Sequence, residues 1–323
     1  MIRFAVRAAA AVALALGALA VQAQAWPTKP VKFIVPYPPG GSTDPMARLI
    51  GAKLSDSLGQ PFVVENRSGA SGTIGTALAA KSPPDGYTFI FVFDYHAVNP
   101  FVFPNLPFDT VKDLAPVMLI GTAPMAIATA TAKPYKSFVD VIAAAKARPG
   151  TVSIGSVGNG SLGHLTMALV QQSSGIKLIH IPYKGGGPMT ADALAGQIDL
   201  AIGSVALIAP HVKGGKLRAV AVTGDNRSRA LPDVPALAEQ GLPGFSALAW
   251  WAIFGPAGVP KPILDKFHAE LVRAFDLPDV RTLLTESLGI DLVVGPPEGL
   301  GQWLDTQMQR WGKVVRDNSI SAD

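Results

Sequence analysis

Three glycines near the middle of the chain have the spacing of a phosphate-binding loop. Gly158, Gly160 and Gly163 form the pattern G-x-G-x-x-G within "SIGSVGNGSLGHL". The residues before them, "TVSI", are typical of a strand, and those after them, "LGHLTMALVQQSSG", are typical of a helix. A strand, a glycine loop and a helix in this order can bind the pyrophosphate of NAD at the helix N-terminus. The loop is therefore a candidate anion-binding site.

The acidic residue that a dinucleotide site needs is missing. An Asp or Glu about 20 residues beyond the glycines normally binds the ribose 2′-hydroxyl. Tyr183 and Lys184 occupy that place, so the sequence argues against NAD, and we expect no cofactor. The loop still suits another anion, because glycine lets a ligand approach the backbone closely. The alternative is a plain tight turn in which Ser161 caps the helix.

A second loop of the same kind, "PPGGSTD", also follows a predicted strand and opens a helix. Asp44 before Pro45 is typical of an N-cap followed by the first helical residue, with Arg48 as its partner one turn on. Ser42 and Thr43 would then remain as donors for a ligand. Two such loops that face each other across a cleft would hold one carboxylate.

Other polar and aromatic residues lie near these loops. Lys184 in "PYKGGGP" would attract an anion, although a solvated surface lysine is the more common interpretation. Four further side chains follow predicted strands and are either cavity walls or packing residues. These four are Tyr37, Tyr95, His96 and Tyr183.

Signatures of catalysis are weak. The pattern G-x-S-x-G fails around Ser161, because Asn159 stands where a glycine is needed. The five histidines are scattered without metal-ligand spacing, and there is no cysteine. We therefore expect neither a metal site nor an enzyme. A secreted α/β hydrolase that uses Ser161 and His164 remains the alternative.

The first 25 residues have the features of a signal peptide. Arg3 and Arg7 precede the apolar run "AAAAVALALGALAV", and "AQA" supplies the small-x-small cleavage pattern. We expect cleavage after Ala25 and export to the periplasm. The loss of two arginines lowers the formal net charge from +4 to +2. That charge is too small and scattered to indicate nucleic-acid binding.

The rest of the chain alternates between strand and helix patterns. "VKFIV", "PFVVEN" and "GYTFIFVFD" are predicted strands separated by helices, and the middle of the chain repeats this scheme. The C-terminal part is helical by its apolar spacing. This order predicts an α/β protein with parallel strands and two lobes.

Several long segments in the same order carry a family resemblance. They include "WPTKPVKFIVPYPPGGSTDPMAR", "VVENRSGASGTIGTALAAKSPPDGYT", "PGTVSIGSVGNGSLGHL", "IPYKGGGPMTADALAGQIDLAIGS" and "WWAIFGPAGVPKPIL". With them the chain resembles the extracytoplasmic solute receptors of the tripartite tricarboxylate transporters, the Bug receptors. The resemblance implies a type II periplasmic-binding-protein fold, with two α/β lobes and a ligand cleft between them. Residues 26–125 with 248–323 would form the first lobe, and 126–247 the second.

The resemblance also implies a function. Such receptors close around a small organic carboxylate and deliver it to integral-membrane transporter subunits. A signalling partner such as a sensor kinase is the alternative, and we expect a monomer. Backbone and hydroxyl groups of "PYPPGGSTD" and "GNGSLGH" would hold one carboxylate, so Gly160→Val would abolish binding. The expected ligand-binding residues are Tyr37, Gly40, Gly41, Ser42, Thr43, Asp44, Tyr95, His96, Asn159, Gly160, Ser161, His164, Tyr183, Lys184 and Ser204.

One segment departs from the family pattern. The loop matching "DYHAVNP" would lie near the distal end of the ligand, where the family commonly has small hydroxyl residues before the histidine. This chain has Asp94 and Tyr95 there. The acid would either pair with an amine of the ligand or repel a second carboxylate.

Overall fold

The first third of the described chain alternates strands and helices as predicted. The computed structural model describes residues 26–321, so the predicted signal peptide lies outside it. The elements are β1 (Val31–Val35), α1 (Thr43–Leu58), β2 (Phe62–Asn66), α2 (Thr73–Ala80), β3 (Thr88–Phe93) and α3 (Tyr95–Val102). A short 3₁₀ turn, Ala70–Gly72, precedes α2.

The middle third repeats the alternation after one long strand. Its elements are β4 (Leu114–Ala130), α4 (Phe138–Ala147), β5 (Ser153–Ser156), α5 (Leu162–Ser174), β6 (Ile179–Pro182), α6 (Gly186–Leu194), β7 (Leu200–Ser204), α7 (Val205–Lys213) and β8 (Leu217–Val222).

The last third returns to the first part of the sheet and then becomes helical. Its elements are β9 (Leu248–Pro256), α8 (Lys261–Asp276), α9 (Pro278–Thr282), a π-helical turn (Leu283–Ser287), β10 (Asp291–Leu292) and α10 (Pro297–Asp317). None of the helices within residues 26–321 combines the length and apolar character needed to cross a bilayer.

All ten described strands form one curled, mixed sheet. The order is β2-β1-β3-β9-β4-β7-β5-β6, and both β8 and β10 also pair with β4. Strands β1, β2 and β3 are parallel to one another, and β5 is parallel to β6 and β7. Strand β9 pairs antiparallel with β3 and β4. The sheet is therefore mixed, whereas the sequence predicted parallel strands. The two parallel groups are the sheets of two α/β lobes.

Strand β4 belongs to both lobes. Its residues from Leu114 to Pro124 pair with β9, whereas its residues from Met125 to Ala130 pair with β7 and β8. This change of partner lies next to the predicted lobe boundary at residues 125 and 126. It supports that boundary, which stays a prediction.

Buried side chains fill the interiors of both lobes, and the larger cluster of buried residues extends across both. In the first lobe an aromatic cluster fills the space between β1, β3 and α8, where the Phe89 and Phe267 rings lie 4.0 Å apart and Phe33 packs beside them. In the second lobe the smaller side chains of β4, β7 and β8 pack against α7, including the buried Ile208. The rigid elements of both lobes therefore support the loops between them.

Two local predictions were wrong. Ser42 is the N-cap of α1, and Asp44 lies inside the first turn of that helix. The segment "DYHAVNP" is not a loop but the start of α3, which follows β3 after Asp94 alone. The chain therefore turns sharply at Asp94, and this turn buries its side chain.

Candidate functional site

A cavity of about 860 Å³ lies between the loops of the two lobes. Ten of the predicted residues line it, and five do not. Those that line it are Tyr37, Gly41, Ser42, Thr43, Asp44, Tyr95, Asn159, Tyr183, Lys184 and Ser204. Those that do not are Gly40, His96, Gly160, Ser161 and His164.

The glycine loop that opens α5 uses its own donors internally. The Gly160 N–H donates to His164 Nδ1 at 3.2 Å, and the Ser161 N–H donates to the Gly158 carbonyl at 3.2 Å. The Ser161 hydroxyl caps α5 by accepting the His164 N–H at 3.2 Å. These groups therefore do not point donors at a ligand, in contrast to the expected carboxylate clamp.

Ser161 and His164 do not form a catalytic pair. Ser161 is fully buried, and its hydroxyl contacts the backbone rather than the ring of His164. The His164 ring stacks on His180 at 4.0 Å, burial lowers the pKa of His164, and its Nδ1 accepts the Gly160 N–H. Within residues 26–321, no group of three or more His, Asp or Glu side chains could hold a metal ion.

The Asp44 carboxylate, beside the other glycine loop, is paired with a cationic side chain. Its carboxylate accepts two hydrogen bonds from Arg48, both at 3.0 Å, and one from Asn66 Nδ2 at 2.8 Å. The predicted partner Arg48 is therefore correct, although the N-cap role is not. Ser42 makes no side-chain cap to α1, and both Ser42 and Thr43 line the cavity, so their groups remain for a ligand.

Three helix N-termini from the two lobes converge at this point. The Ser42 hydroxyl lies 3.5 Å from that of Ser204, which caps α7. The backbones of the loops that open α1 and α6 touch, because a Cβ built on Gly186 would lie 3.3 Å from the Gly41 Cα. A Cβ on Gly40 would likewise lie 3.3 Å from the Gly187 Cα. The second-lobe side of the cleft is thus formed by the starts of α6 and α7 together with Val157, Gly158 and Asn159 of the loop before α5.

Tyrosine rings form one wall of the cavity. The Tyr95 hydroxyl donates to the Val157 carbonyl at 2.6 Å across the cleft, and the Tyr37 hydroxyl accepts the Phe93 N–H at 3.1 Å. The Tyr183 hydroxyl donates to Asp192 at 2.7 Å. Burial, with the neighbouring Asp192, raises the pKa of Tyr183 to about 12. Each of these hydroxyls has a protein partner, so the rings are what line the cavity.

Asp94 and His96 lie behind this wall rather than in it. Both are 2% exposed, and neither lines the cavity. Burial raises the pKa of the Asp94 carboxyl well above its usual range, although the N–H groups of Leu162 and Tyr95 face it and offset part of this effect. Neither oxygen completes a hydrogen bond. Burial lowers the pKa of His96 to about 4, and its ring packs 4.9 Å from that of Phe254.

Sequence reasoning missed a turn formed by residues 68–72, which lines the cavity between β2 and α2. Gly69, Ala70, Ser71 and Gly72 all have positive φ, at 136°, 44°, 52° and 89°. Such strain persists only where the surroundings fix it, and Asn99 Nδ2 donates to the Ser71 carbonyl at 3.1 Å. The available signal was "SGASG", a third glycine-rich link between a strand and a helix.

Comparisons with known proteins agree with this architecture. Protein BugT of Bordetella pertussis is 38% identical over 299 residues, which cover 92% of this chain and 91% of BugT. The structure of the R. palustris protein Rpa4515 with adipate has a TM-score of 0.88 and 34% identity, covering 92% of this chain and 99% of that one. The periplasmic binding protein BugD has a TM-score of 0.86 and 30% identity, covering 92% and 99%.

The predicted two-lobe α/β fold of periplasmic binding proteins is therefore confirmed. The model of the "Tripartite tricarboxylate transporter family receptor" matches residues 46–320. This match covers most of the chain and includes α6, α7 and all of α1 except its first three residues. The chain belongs to the receptor family of the tripartite tricarboxylate transporters.

Proposed function

We propose that this protein is a periplasmic receptor that captures a small organic carboxylate by closure of its two lobes. It then delivers the ligand to the membrane subunits of a tripartite tricarboxylate-type transporter. The observation that carries the proposal is the convergence of α1, α6 and α7 at one end of an interlobe cavity. Family membership and the adipate that Rpa4515 binds support it.

The helix N-termini supply the attraction for a carboxylate. Each N-terminus carries unpaired N–H groups and roughly half a positive charge, so anions are stabilised there. The hydroxyls of Ser42 and Ser204 come from opposite lobes and lie 3.5 Å apart. A carboxylate beside them that accepts a hydrogen bond from both hydroxyls contacts both lobes at once, and this favours the closed arrangement.

Lys184 has a steering role in this proposal. It lines the cavity, but its side chain is exposed. An exposed cation at the edge of a cleft increases the rate of anion association, and salt screens this effect. The bound carboxylate is held mainly by the helix N-termini and the hydroxyls.

The export route and the partner are parts of the same proposal. The N-terminal 25 residues have the pattern of a cleaved signal peptide, which fits a periplasmic receptor, and the proposal takes that receptor to be a monomer. A sensor kinase in place of the transporter remains the alternative partner. The hydrolase alternative is not favoured by any observation, because the hydroxyl of Ser161 is buried and bound to the backbone.

A panel of carboxylates tests the proposal. We expect at least one organic acid to raise the melting temperature. Ligand at about 100 times Kd adds about 2.7 kcal/mol of stability, which corresponds to roughly 5 °C for a chain of this size. Isothermal titration calorimetry then gives the affinity. If no carboxylate in a broad panel binds, the receptor proposal is wrong.

Gly186→Val tests where the carboxylate binds. A Cβ at Gly186 would lie 2.8 Å from the Leu207 Cδ2 and 3.3 Å from the Gly41 Cα, so a larger side chain holds the lobes apart. We expect affinity to fall about 100-fold, or about 2.7 kcal/mol. The control is Gly301→Ala on α10, where a Cβ meets no atom within 4 Å. Equal affinities for the two variants would contradict this position of the site.

A further inference from the structure

Few charged side chains line the cavity. Among the lining residues of the described chain, only Asp44 and Lys184 are charged. Asp44 is paired with Arg48 and Asn66, and Lys184 is exposed. The converging helix N-termini provide for one carboxylate. A second carboxylate in the enclosed part of the cavity would find no cationic side chain there, and a buried charge without a partner is costly.

Aromatic rings form the wall next to this carboxylate position. The ring of Tyr37 lies 5.7 Å from that of Tyr95 at an interplanar angle of 30°, and 6.4 Å edge-on from that of Phe93. The Tyr95 hydroxyl is bound to Val157, and the Tyr37 hydroxyl accepts the Phe93 N–H. The Tyr37 O–H keeps its proton for a ligand, and the rest of the wall is ring surface, against which an aromatic ring can pack edge-to-face or offset.

The remaining walls combine apolar side chains with the neutral polar Ser68, Ser71 and Asn159, and the space is large. Phe103, Met125 and Leu207 line other parts of the cavity. Its volume of about 860 Å³ lies near the upper end of the roughly 300–1,000 Å³ range of small-molecule sites. A short diacid would leave most of this apolar surface in contact with water. A ligand with a bulky apolar body would cover it.

We propose that the ligand is an aromatic monocarboxylate, a ring joined to a single carboxylate. This inference rests on the proposed receptor function. The carboxylate binds at the N-termini of α1, α6 and α7, and the ring lies against Tyr37, Phe93 and Tyr95. The ligand therefore differs in class from the adipate that Rpa4515 binds, which has a carboxylate at each end.

Three acids separate the contributions of charge and ring. Hexanoate and adipate have the same carbon chain, but adipate has a second carboxylate; 3-phenylpropionate has one carboxylate and a ring. Calorimetry is carried out on the protein refolded to remove any ligand that co-purifies. We expect hexanoate to bind at least tenfold more tightly than adipate. We expect 3-phenylpropionate to bind at least tenfold more tightly than hexanoate.

The opposite orders overturn the inference in distinct ways. Tighter binding of adipate than of hexanoate refutes a single carboxylate, and hexanoate binding as tightly as 3-phenylpropionate refutes the aromatic body. In both cases the receptor function stands. If none of the three acids binds, the inference is wrong, and the broad carboxylate panel decides separately whether the receptor function is wrong too.

Variants of Tyr95 test the ring contact directly. Tyr95→Leu removes the ring, whereas Tyr95→Phe removes only the hydroxyl that contacts Val157. Loss of the hydroxyl weakens lobe closure for all ligands equally. Loss of the ring lowers the affinity for 3-phenylpropionate about tenfold relative to that for hexanoate. If Tyr95→Leu does not fold, the half-buried Phe103→Leu serves instead. An unchanged ratio of the two affinities in the folded variant overturns the ring contact.

Discussion

Asp94 is a carboxyl group placed where ionisation is unfavourable. It lies at the single-residue turn between β3 and α3, is 2% exposed, and faces the N–H groups of Leu162 and Tyr95 without completing a hydrogen bond. Burial raises the pKa of Asp94 well above its usual range. The folded protein therefore keeps this group protonated at pH values where the unfolded chain has ionised it.

Replacing Asp94 by Asn is expected to stabilise the protein at neutral pH. Because the folded pKa lies above the unfolded value of 3.8, the free energy of unfolding of the native protein decreases as pH rises between the two values. Asn has the same shape and no charge, so this decrease is removed. The gain is about 1.4 kcal/mol for each unit by which folding raises the pKa. Urea unfolding at several pH values measures it.

A matched substitution distinguishes the buried carboxyl from carboxyls in general. Asp56 is exposed on α1, so Asp56→Asn is expected to change stability by less than about 0.5 kcal/mol. If Asp94→Asn destabilises the protein at neutral pH, then the carboxylate is ionised in the folded state and has a partner.

Contacts between side chains could be predicted only where they are local in sequence. The pair Asp44 and Arg48 follows from spacing on one helix, and it forms as expected. The stacking of His164 on His180 joins residues from α5 and β6, and no pattern in the sequence indicates it. The hydrogen bond between Gly160 and His164 is of the same kind: no pattern indicates it, and their expected roles at the ligand stay predictions.

Ser161 and Ser204 are the N-caps of two different helices. Each hydroxyl accepts the N–H three residues further on, in α5 and α7 respectively. Only Ser204 lines the cavity, where it approaches Ser42. We therefore expect Ser161 to act only as a helix cap and Ser204 to act also at the proposed carboxylate position.

Alanine at these two positions tests that separation. We expect Ser161→Ala and Ser204→Ala each to lose about 1 kcal/mol of stability, because both lose an N-cap. Ser161→Ala should keep the affinity for the carboxylate, whereas Ser204→Ala should lower it about tenfold. Thermal unfolding and calorimetry measure the two quantities. A loss of affinity in Ser161→Ala would restore α5 as part of the site.

Most helices and strands could be predicted because their signals are local. The apolar run of β1 and the helix after "GGST" are examples. Helix α3 was missed because Pro100 and several polar residues give its sequence a loop-like composition. The left-handed turn at residues 69–72 was missed because Ala70 and Ser71 rarely adopt positive φ, and only contacts such as that from Asn99 fix them there.

The order of the strands in the sheet could not be predicted from local sequence patterns. Strand β9 inserts between β3 and β4, and more than 100 residues separate it from either. Its pairing depends on the burial of both faces of the sheet rather than on any turn. The family resemblance, rather than periodicity, predicted that the chain returns to its first lobe, and the lobe boundaries remain to be tested.

Strand β4 also links the unfolding of the two lobes. One part of this strand pairs with β9 in the first lobe, and the other part pairs with β7 and β8 in the second. Unfolding of either lobe therefore leaves backbone N–H and C=O groups of β4 without partners. The five tryptophans lie at residues 26, 250, 251, 303 and 311, all within the predicted first lobe, whereas far-ultraviolet circular dichroism follows both lobes. We expect urea midpoints from tryptophan fluorescence and from circular dichroism to coincide. Separate midpoints would show that the two lobes unfold independently. If the midpoints coincide, a ligand bound in the cleft between the lobes protects the entire chain from unfolding and proteolysis.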